Sequence, residues 1–226
     1  MEAIKVLNHG YIRLVDSMGN DLSVVRSARV SYDAEWRTGQ DDGKDSKLIH
    51  YLMKNKHTSP FESVTFTFEV KAPIFVFRQW HRHRTISVNE ISARYSELPE
   101  EYYIPELSKI TTQSTNNKQQ RTDEILSTAE EIQTLIQEQC ANAFDIYHKL
   151  LEKGCARELA RGVLPVNTYS KMFVTTNLHN LFNFIRLRDH SHAQFEIQVF
   201  AQAMLELIEP IVPECVRAYK LYNTVV

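Results

Sequence analysis

The pattern that most constrains the fold lies at residues 64–71. Apolar side chains occupy every second position there, beginning at Val64, and threonine or charged residues fill the positions between them. A period of two with apolar residues on one side predicts a β-strand that has one buried and one solvated face. Pro73 then stands where a helix can begin, and residues 74–80 are predicted to form that helix.

Strands and helices are predicted in mixed order along the rest of the chain. Short strands are expected at residues 4–7, 11–16 and 169–176. Asp21 is expected to cap a helix that ends near Ser31, and a long helix should start at Thr122 or Asp123 and end before Gly154. The remaining helical segments are residues 46–56, 156–161, 177–188, 192–208 and 213–222. Because strands and helices do not alternate as βαβ units, the order favours an α+β fold over a doubly wound α/β fold.

Two segments are predicted to be loops. Residues 36–45 are polar and contain glycine, so a mobile loop is expected, and residues 109–121 are poor in hydrophobic side chains and should be exposed. The long helix that follows has an apolar stripe from Ile125 to Leu151, which includes Leu135.

Size and charge exclude several classes of protein. The 226 residues suit one large domain or two small ones, and we expect a single domain over residues 1–226. A net charge of −2 gives no global attraction to nucleic acid or to a membrane. No apolar run approaches the roughly 20 residues of a membrane span, and residues 1–10 lack the apolar core of a signal peptide. A cytoplasmic protein without nucleic-acid or membrane partners is therefore expected.

The glycines and cysteines exclude several common sites. The six glycines form neither G-x-G-x-x-G nor G-x-x-x-x-G-K-[ST], which excludes a Rossmann fingerprint and a Walker loop. Cys140, Cys155 and Cys215 are widely separated and form no C-x-x-C pair, which excludes a disulfide scaffold and a cysteine zinc site. A nucleotide phosphate would therefore have to be held by side chains and helix N-termini.

The segment 78–95, RQWHRHRTISVNEISARY, concentrates hydrogen-bond donors. It contains four arginines, two histidines, one glutamate and two serines. The planar guanidinium suits phosphates and carboxylates, so the segment predicts an anionic, nucleotide-like ligand. In an extended strand, Glu90, Ser92 and Arg94 would lie on one side and hold a phosphorylated sugar and a polar base edge. The alternative is a solvated charged face or a ladder of Arg–Glu ion pairs.

A second polar cluster falls on the otherwise apolar helix predicted at residues 177–188. It consists of Asn177, His179 or Asn180, Asn183 and Arg188. Because polar groups in an apolar setting need partners, a flat heterocycle with amide-like edges would fit them. The alternative is that the asparagines cap the helix or pack against a neighbouring subunit.

Two histidine pairs, His81 with His83 and His190 with His192, raise the question of a metal ion. A His-x-His pair places both rings on one side only in a strand, and the H-E-x-x-H spacing is absent. We therefore expect no metal, and we expect these histidines to donate to a ligand or to the backbone.

The tripeptide Arg82-His83-Arg84, followed after seven residues by Ser92, resembles the R-H-R-x7-S signature of flavin-dependent thymidylate synthases. Further blocks resemble that family in the same order. They are HTSPFE at 57–62, FTFEVKAPIFVFRQW at 66–80, NEISARYS at 89–96, VLPVNTYS at 163–170 and SHAQFEIQ at 191–198. The resemblance covers nearly the whole chain.

This resemblance implies an activity and an assembly. The family methylates dUMP at C5 with 5,10-methylenetetrahydrofolate as the carbon donor. FAD carries hydride from NADPH, so that the folate leaves as tetrahydrofolate. The resemblance also implies an α+β fold, in which long helices flank a twisted antiparallel sheet, and a homotetramer whose active sites form between subunits.

The resemblance further implies roles for individual residues. The positions that resemble the flavin-contacting set are His57, Ser59, Arg82, His83, Arg84, Glu90, Asn177, His179 and Asn183. The positions that resemble the dUMP set are Gln79, Arg82, Glu90, Ser92, Arg94, Arg161 and Arg188.

Three of these positions, Arg188, Ser92 and His57, are the candidate catalytic residues. Arg188 is expected to stabilise negative charge on the pyrimidine as C5 becomes nucleophilic. Ser92 resembles a residue proposed as a nucleophile. We interpret it as a hydrogen-bond donor to the phosphate and the ring, because the sequence places no base beside it.

Two other functions stay open at this point. A non-catalytic module that binds nucleotides or single-stranded nucleic acid would use Trp80, Tyr95 and the arginines for stacking and phosphate contacts. A metal-dependent nucleotide hydrolase would use the histidine pairs and would lose its activity on chelation.

Overall fold

The computed structural model describes residues 2–40, 43–118 and 120–223. The strands of its main sheet are β1 Ile4–Val6, β2 Gly10–Met18, β3 Thr65–Pro73, β4 Ser87–Glu90 and β7 Tyr169–Asn177. They pair antiparallel in the order β1-β2-β3-β7-β4. A separate two-stranded hairpin is formed by β5 Thr111–Gln113 and β6 Arg121–Ile125.

Helices account for most of the remaining described residues. They are α1 Asp21–Arg29, α2 Lys44–Lys54, α3 Ile74–Trp80, α4 Ala129–Glu152, α5 Arg157–Ala160, α6 Leu178–Arg188, α7 Phe195–Ile208 and α8 Pro213–Tyr222. Short 3-10 turns lie at Val30–Tyr32, Glu35–Arg37, Ser59–Ser63, Leu107–Lys109 and Arg161–Val163. The α+β class with an antiparallel sheet is thus confirmed.

Alternation along β3 decides how the sheet is buried. Phe66, Phe68 and Val70 are fully buried in the main core, which also contains side chains from α1–α3 and α6–α8. The opposite face is polar, and the hydroxyls of Thr67 and Thr175 lie 3.0 Å apart across β3 and β7. The predicted strand with one apolar and one polar face is confirmed, because the pleat sends successive side chains to opposite faces.

The helix α4 packs on a smaller cluster that contains Phe144, Tyr147 and Ala160. Leu135, which was assigned to the inner stripe, is 57 % exposed, so that part of the stripe is wrong for the single chain. Gly154 follows the helix with a φ of +82°, a left-handed conformation suited to a residue that ends a helix.

The predicted cap of α1 is wrong by one residue. Asn20 caps this helix, since its side chain accepts a hydrogen bond from the Leu22 N–H at 3.0 Å. The carboxylate of Asp21 instead accepts from the N–H groups of Glu214 and Cys215 at 2.9 and 3.0 Å. Asp21 therefore stabilises the start of α8, a contact across the fold that the local sequence does not predict.

The prediction for residues 109–128 is also wrong. Residues 109–121 were expected to be a loop and the long helix to start at Thr122 or Asp123. The chain instead forms the β5–β6 hairpin, and α4 begins at Ala129. Residue 119 lies outside the described residues.

The loop predicted at residues 36–45 is shorter than expected. The 3-10 turn Glu35–Arg37 and the first residues of α2 occupy its two ends, and residues 41 and 42 lie outside the described residues. The helix predicted to start at His192 starts at Phe195 instead.

Across the three described ranges, no helix combines the length and apolar character that crossing a bilayer requires. The three cysteines are free thiols, and those of Cys140 and Cys215 are buried.

Candidate active site

The helix α3 delivers the arginine segment to the surface. Its first two N–H groups, at Ile74 and Phe75, donate to carbonyl oxygens of the segment before β7 at 3.0 and 2.9 Å. Trp80 ends the helix fully buried and stacks on Phe184 with ring centroids 4.7 Å apart. With both ends of α3 fixed, the Arg82-His83-Arg84 tripeptide leaves the core at its C-terminal end.

Arg188, the last residue of α6, is held by two residues of this region. Its Nε donates to Nε2 of His83 at 2.9 Å. Its Nη2 donates to the main-chain oxygen of Gln79 at 3.1 Å, and its Nη1 to the Gln79 Oε1 at 3.4 Å. A guanidinium has five N–H donors, so two remain for a ligand.

The charges around Arg188 favour an electron-rich ligand. Burial, and then the positive charge of Arg188, lower the pKa of His83 from 6.5 to about 4. His83 is therefore neutral at pH 7, and because its Nε2 accepts from Arg188, its proton is on Nδ1. Burial, and then the charge of Arg82, also lower the pKa of Arg188, although a guanidinium stays protonated in proteins.

A pocket of about 660 Å³ lies beside α3, between β4 and the Arg161–Val163 turn. Four of the predicted residues, Glu90, Ser92, Arg94 and Arg161, line it together. Its further lining includes Arg78, His81, Glu158 and Ser170 among the polar residues and Ile74, Phe77 and Leu98 among the apolar ones. The volume is in the range of small-molecule sites, and the lining is about half polar, with several charged side chains, which suits a charged ligand.

The backbone around Ser92 differs from the predicted strand. Residue-by-residue pairing with β7 ends at Glu90. The Tyr95 N–H donates to the main-chain oxygen of Ser92 at 3.0 Å, and this hydrogen bond closes a turn. The Ser92 Oγ accepts from the Arg94 N–H at 3.3 Å. The predicted alternation from Asn89 to Arg94 is therefore wrong, but the turn still brings Glu90, Ser92 and Arg94 to one pocket.

Glu90 is fixed by a residue of the neighbouring strand. Ser170, in β7, is buried, and its hydroxyl donates to the Glu90 Oε1 at 2.7 Å. Within the described residues neither Arg82, Arg84 nor Arg94 forms an ion pair, so the structure contains no Arg–Glu ladder here.

Three members of the second polar cluster, Asn177, His179 and Asn183, lie at the start and in the first half of α6, away from Arg188 at its end. Asn177 caps the helix, because its Oδ1 accepts from the Asn180 N–H at 2.9 Å. One turn apart on the helix, His179 Nε2 and Asn183 Nδ2 lie 3.2 Å from each other. The capping interpretation thus holds for the oxygen of Asn177, whose NH₂ group still has two donors.

The 3-10 turn that begins at Ser59 packs on α6 through the Phe61 and Phe182 rings, 6.4 Å apart. His57 lies just before this turn, with its ring against that of Tyr51 in α2, and the side chains of His57 and Ser59 are exposed. In the described part of this single chain, the predicted residues other than the exposed Arg84 fall into three groups. These are the pocket residues, the Arg188 group with Gln79, Arg82 and His83, and the group around the start of α6. No hydrogen bond or ion pair joins one group to another there.

The histidine pairs do not build a metal site in the described residues, where no group of three or more His, Cys, Asp or Glu side chains is placed to hold an ion. The rings of His190 and His192 lie 4.7 Å apart, and the His192 N–H donates to the His190 Nδ1 at 3.0 Å.

The sequence of residues 13–214 matches the family described as thymidylate synthase complementing protein. This chain belongs to that family. A flavin-dependent thymidylate synthase from Treponema denticola is 50 % identical over 211 residues, which cover 92 % of this chain and 78 % of the relative. One from Thermus thermophilus is 50 % identical over 210 residues, 93 % of this chain and 75 % of the relative.

A solved structure extends the comparison to the fold. A UMP/dUMP methylase, PolB from Streptomyces cacaoi bound with 5-Br dUMP, superposes with a TM-score of 0.88 at 36 % identity. The match covers 98 % of this chain and 99 % of that chain. The family predicted from the motif order is thus confirmed.

Two residues that the structure places at the site are absent from the site residues predicted from the sequence. Ser170 holds Glu90, and Gln194 hydrogen-bonds to Gln79. Both lie inside the family blocks, but their partners are 80 and 115 positions away in the chain. Arg78 and His81, predicted only in general terms as donors to a ligand, line the pocket.

Proposed function

We propose that this protein methylates dUMP at C5 to give dTMP. Its carbon donor is 5,10-methylenetetrahydrofolate, and NADPH is the reductant through FAD. The observation that carries the proposal is the pocket in which Glu90, Ser92, Arg94 and Arg161 converge, in a chain of this family. A structural neighbour at 36 % identity is a dUMP methylase, which supports the same substrate.

The pocket offers distinct groups to the parts of dUMP. Arg94 and Arg161, with Arg78 beside them, provide the forked donors that suit the 5′-phosphate. Glu90, whose Oε1 is occupied by Ser170, has its other oxygen free to accept from a ribose hydroxyl. Ser92 hydrogen-bonds the substrate. The described residues give its hydroxyl no basic partner, so a nucleophilic role is not proposed.

Arg188 is proposed to act on the pyrimidine. When C5 becomes nucleophilic, negative charge develops on the ring, and the two unused N–H donors of Arg188 stabilise it. Gln79 and His83 hold the guanidinium before the substrate arrives, so little side-chain freedom is lost during the reaction.

The residues fit FAD by the chemistry of their donors, although the chain lacks a glycine-rich phosphate loop. Exposed Arg82 and Arg84 suit a diphosphate. The polar groups that would hold the rest of the cofactor are Ser59, His83 through Nδ1–H, Glu90, Asn177, His179 and Asn183. FAD would supply hydride transfer between NADPH and the carbon taken from the folate. His57 stays a proposed catalytic residue, exposed just before the turn that begins at Ser59.

A homotetramer is proposed for the assembled enzyme. No hydrogen bond or ion pair joins the three groups of site residues in the described part of one chain, and a neighbouring copy would complete one reacting centre from them. Exposed apolar side chains support this arrangement, since Val166, which lines the pocket, is 62 % exposed and Leu159, in α5, is 69 % exposed. Large apolar side chains left exposed on a single chain suit an interaction surface.

We further propose that residues 1–226 form one domain and that the enzyme is cytoplasmic. The main core supports the first proposal, because it contains residues from Ile12 to Tyr219. Three free cysteines suit a reducing compartment and support the second. The partners are dUMP, the folate and NADPH, with no role for nucleic acid or a membrane.

Turnover of the purified protein tests the function. Protein that shows the absorption band of oxidised flavin, and a change in that band on addition of dUMP, should form dTMP only with methylenetetrahydrofolate and NADPH together. UMP is assayed alongside, because the structural neighbour is a methylase of both nucleotides. A colourless protein that cannot be reconstituted with FAD, or salt-sensitive binding of single-stranded DNA without response to dUMP, would contradict the proposal.

A further inference from the structure

We propose that Gln194 is a positioning residue for Arg188 that acts through Gln79; this inference rests on the proposed function. Gln194 directly precedes α7, and its Oε1 accepts from the Gln79 Nε2 at 2.5 Å. Gln79 in turn accepts from the Arg188 Nη1 through its own Oε1 at 3.4 Å. The three side chains form one directed chain of hydrogen bonds.

The direction of this chain matters because a carboxamide has two chemically different ends. With its NH₂ group held by Gln194, Gln79 turns its oxygen toward Arg188. A flipped carboxamide would present NH₂ to a guanidinium, and neither group could accept. Gln194 therefore selects the one orientation of Gln79 that holds Arg188.

Gln194 is itself held at a fixed place by the start of α7. Its main-chain oxygen accepts from the N–H groups of Ile197 and Gln198, at 3.1 Å each. Two positions on, the buried Glu196 accepts at 3.0 Å from both the Tyr103 hydroxyl and the Arg121 Nη2. The hairpin and the segment before it thus fix the backbone that carries Gln194.

In this series of hydrogen bonds, the part of Gln194 that matters is its acceptor oxygen. Methionine has nearly the length of glutamine but no such oxygen, whereas glutamate keeps it. Gln194→Met should therefore lose the effect on Arg188 and Gln194→Glu should retain it. Gln198→Met is the matched control, since Gln198 lies one helical turn away at the same surface and has no side-chain hydrogen bond in the described structure.

The first test is steady-state kinetics of the holoenzyme with dUMP varied. We expect Gln194→Met to lower kcat roughly five- to tenfold, the size that one hydrogen bond supports. KM for dUMP should change less than twofold, because the phosphate contacts are intact. Gln194→Glu should stay within about twofold of wild type, and so should Gln198→Met. Wild-type kcat for Gln194→Met, or an equal loss in Gln194→Glu or Gln198→Met, overturns the proposal.

Crystal structures of the variants supply a readout that does not depend on turnover. In Gln194→Met the Gln79 carboxamide should turn its oxygen away from the Arg188 Nη1, whereas in Gln194→Glu this contact should stay; the Arg188 Nη2 should remain on the main-chain oxygen of Gln79 in both variants. Wild-type protein that makes no dTMP would refute the proposed function, while the orientation of the Gln79 carboxamide would still decide the role of Gln194. An unchanged contact between the Gln79 Oε1 and Arg188 in Gln194→Met would refute that role even in an active enzyme.

Discussion

Arg188 and His83, 105 positions apart in the chain, meet through a single hydrogen bond of 2.9 Å from Nε to Nε2. The contact requires a neutral imidazole, because a protonated ring has no lone pair to accept with. Partial burial and the adjacent guanidinium keep His83 neutral. His83, which resembles a flavin-contacting residue, therefore also positions Arg188, the residue proposed to act on the pyrimidine.

Replacement of Arg188 tests the role on the pyrimidine. Arg188→Ala should lower kcat by about 10²–10³-fold, the range for loss of one group that stabilises developing charge. Bound flavin should be unchanged, as measured by the visible spectrum of the purified variant. Arg186→Ala, on the same helix and exposed, is the control and should turn over normally. Full activity of Arg188→Ala would refute the role.

Acidification tests the neutral state of His83. Its pKa is lowered to about 4 in the folded protein from 6.5, so between these values the unfolded chain binds a proton that the folded chain does not. Stability therefore rises with pH across this window, and falls as pH drops from 6.5 toward 4, where the loss is complete. The free energy of unfolding, measured with urea at pH 4.5 and at pH 7, should differ less between the two pH values for His83→Gln than for wild type. Equal differences would count against the depressed pKa.

The sequence correctly predicted the elements that are marked by a short local pattern of residue types. β3 and α3 were predicted because alternating residues, and then a proline at a helix start, mark them directly. The hairpin was not predicted, for two reasons. Its apolar Ile125 continues the stripe of the following helix, and the contact that holds the hairpin, from Arg121 to Glu196, spans 75 positions of the sequence.

In the candidate site, too, residues marked by a local motif were predicted, and residues that support them from a distance were not. The family resemblance identified Glu90 and Ser92 within one block and Arg161 just before another, and the structure places these residues in one pocket. Their roles stay predictions. The hydrogen bond from Ser170 to Glu90 could not be predicted from the sequence, because the two residues meet only when β4 pairs with β7.

Ser170→Ala tests whether Glu90 needs that support. Loss of a 2.7 Å hydrogen bond should let the carboxylate rotate, and KM for dUMP should rise about fivefold, which corresponds to about 1 kcal/mol. Steady-state kinetics with dUMP varied would measure it. Ser87→Ala, at the exposed start of β4, is the control. An unchanged KM would show that Glu90 is either fixed by other contacts or does not touch the nucleotide.

Replacement of Arg121 tests the anchor of the hairpin. Glu196 is 2 % exposed, and its Oε2 has no partner in the described structure, so its charge depends on Arg121 and the Tyr103 hydroxyl at Oε1. Arg121→Met should lower the free energy of unfolding by roughly 2–3 kcal/mol, somewhat below the cost of breaking a fully buried pair, because Tyr103 still donates.

Urea unfolding at pH 7 would measure this loss. Adding Glu196→Gln to Arg121→Met should restore part of it, since the buried charge is then gone. Lys149→Met, which breaks a pair between two exposed side chains, should change stability by no more than about 0.5 kcal/mol. If Arg121→Met unfolds at the wild-type urea concentration, the ion pair does not hold the hairpin, and the fixed start of α7 must depend on Tyr103 alone.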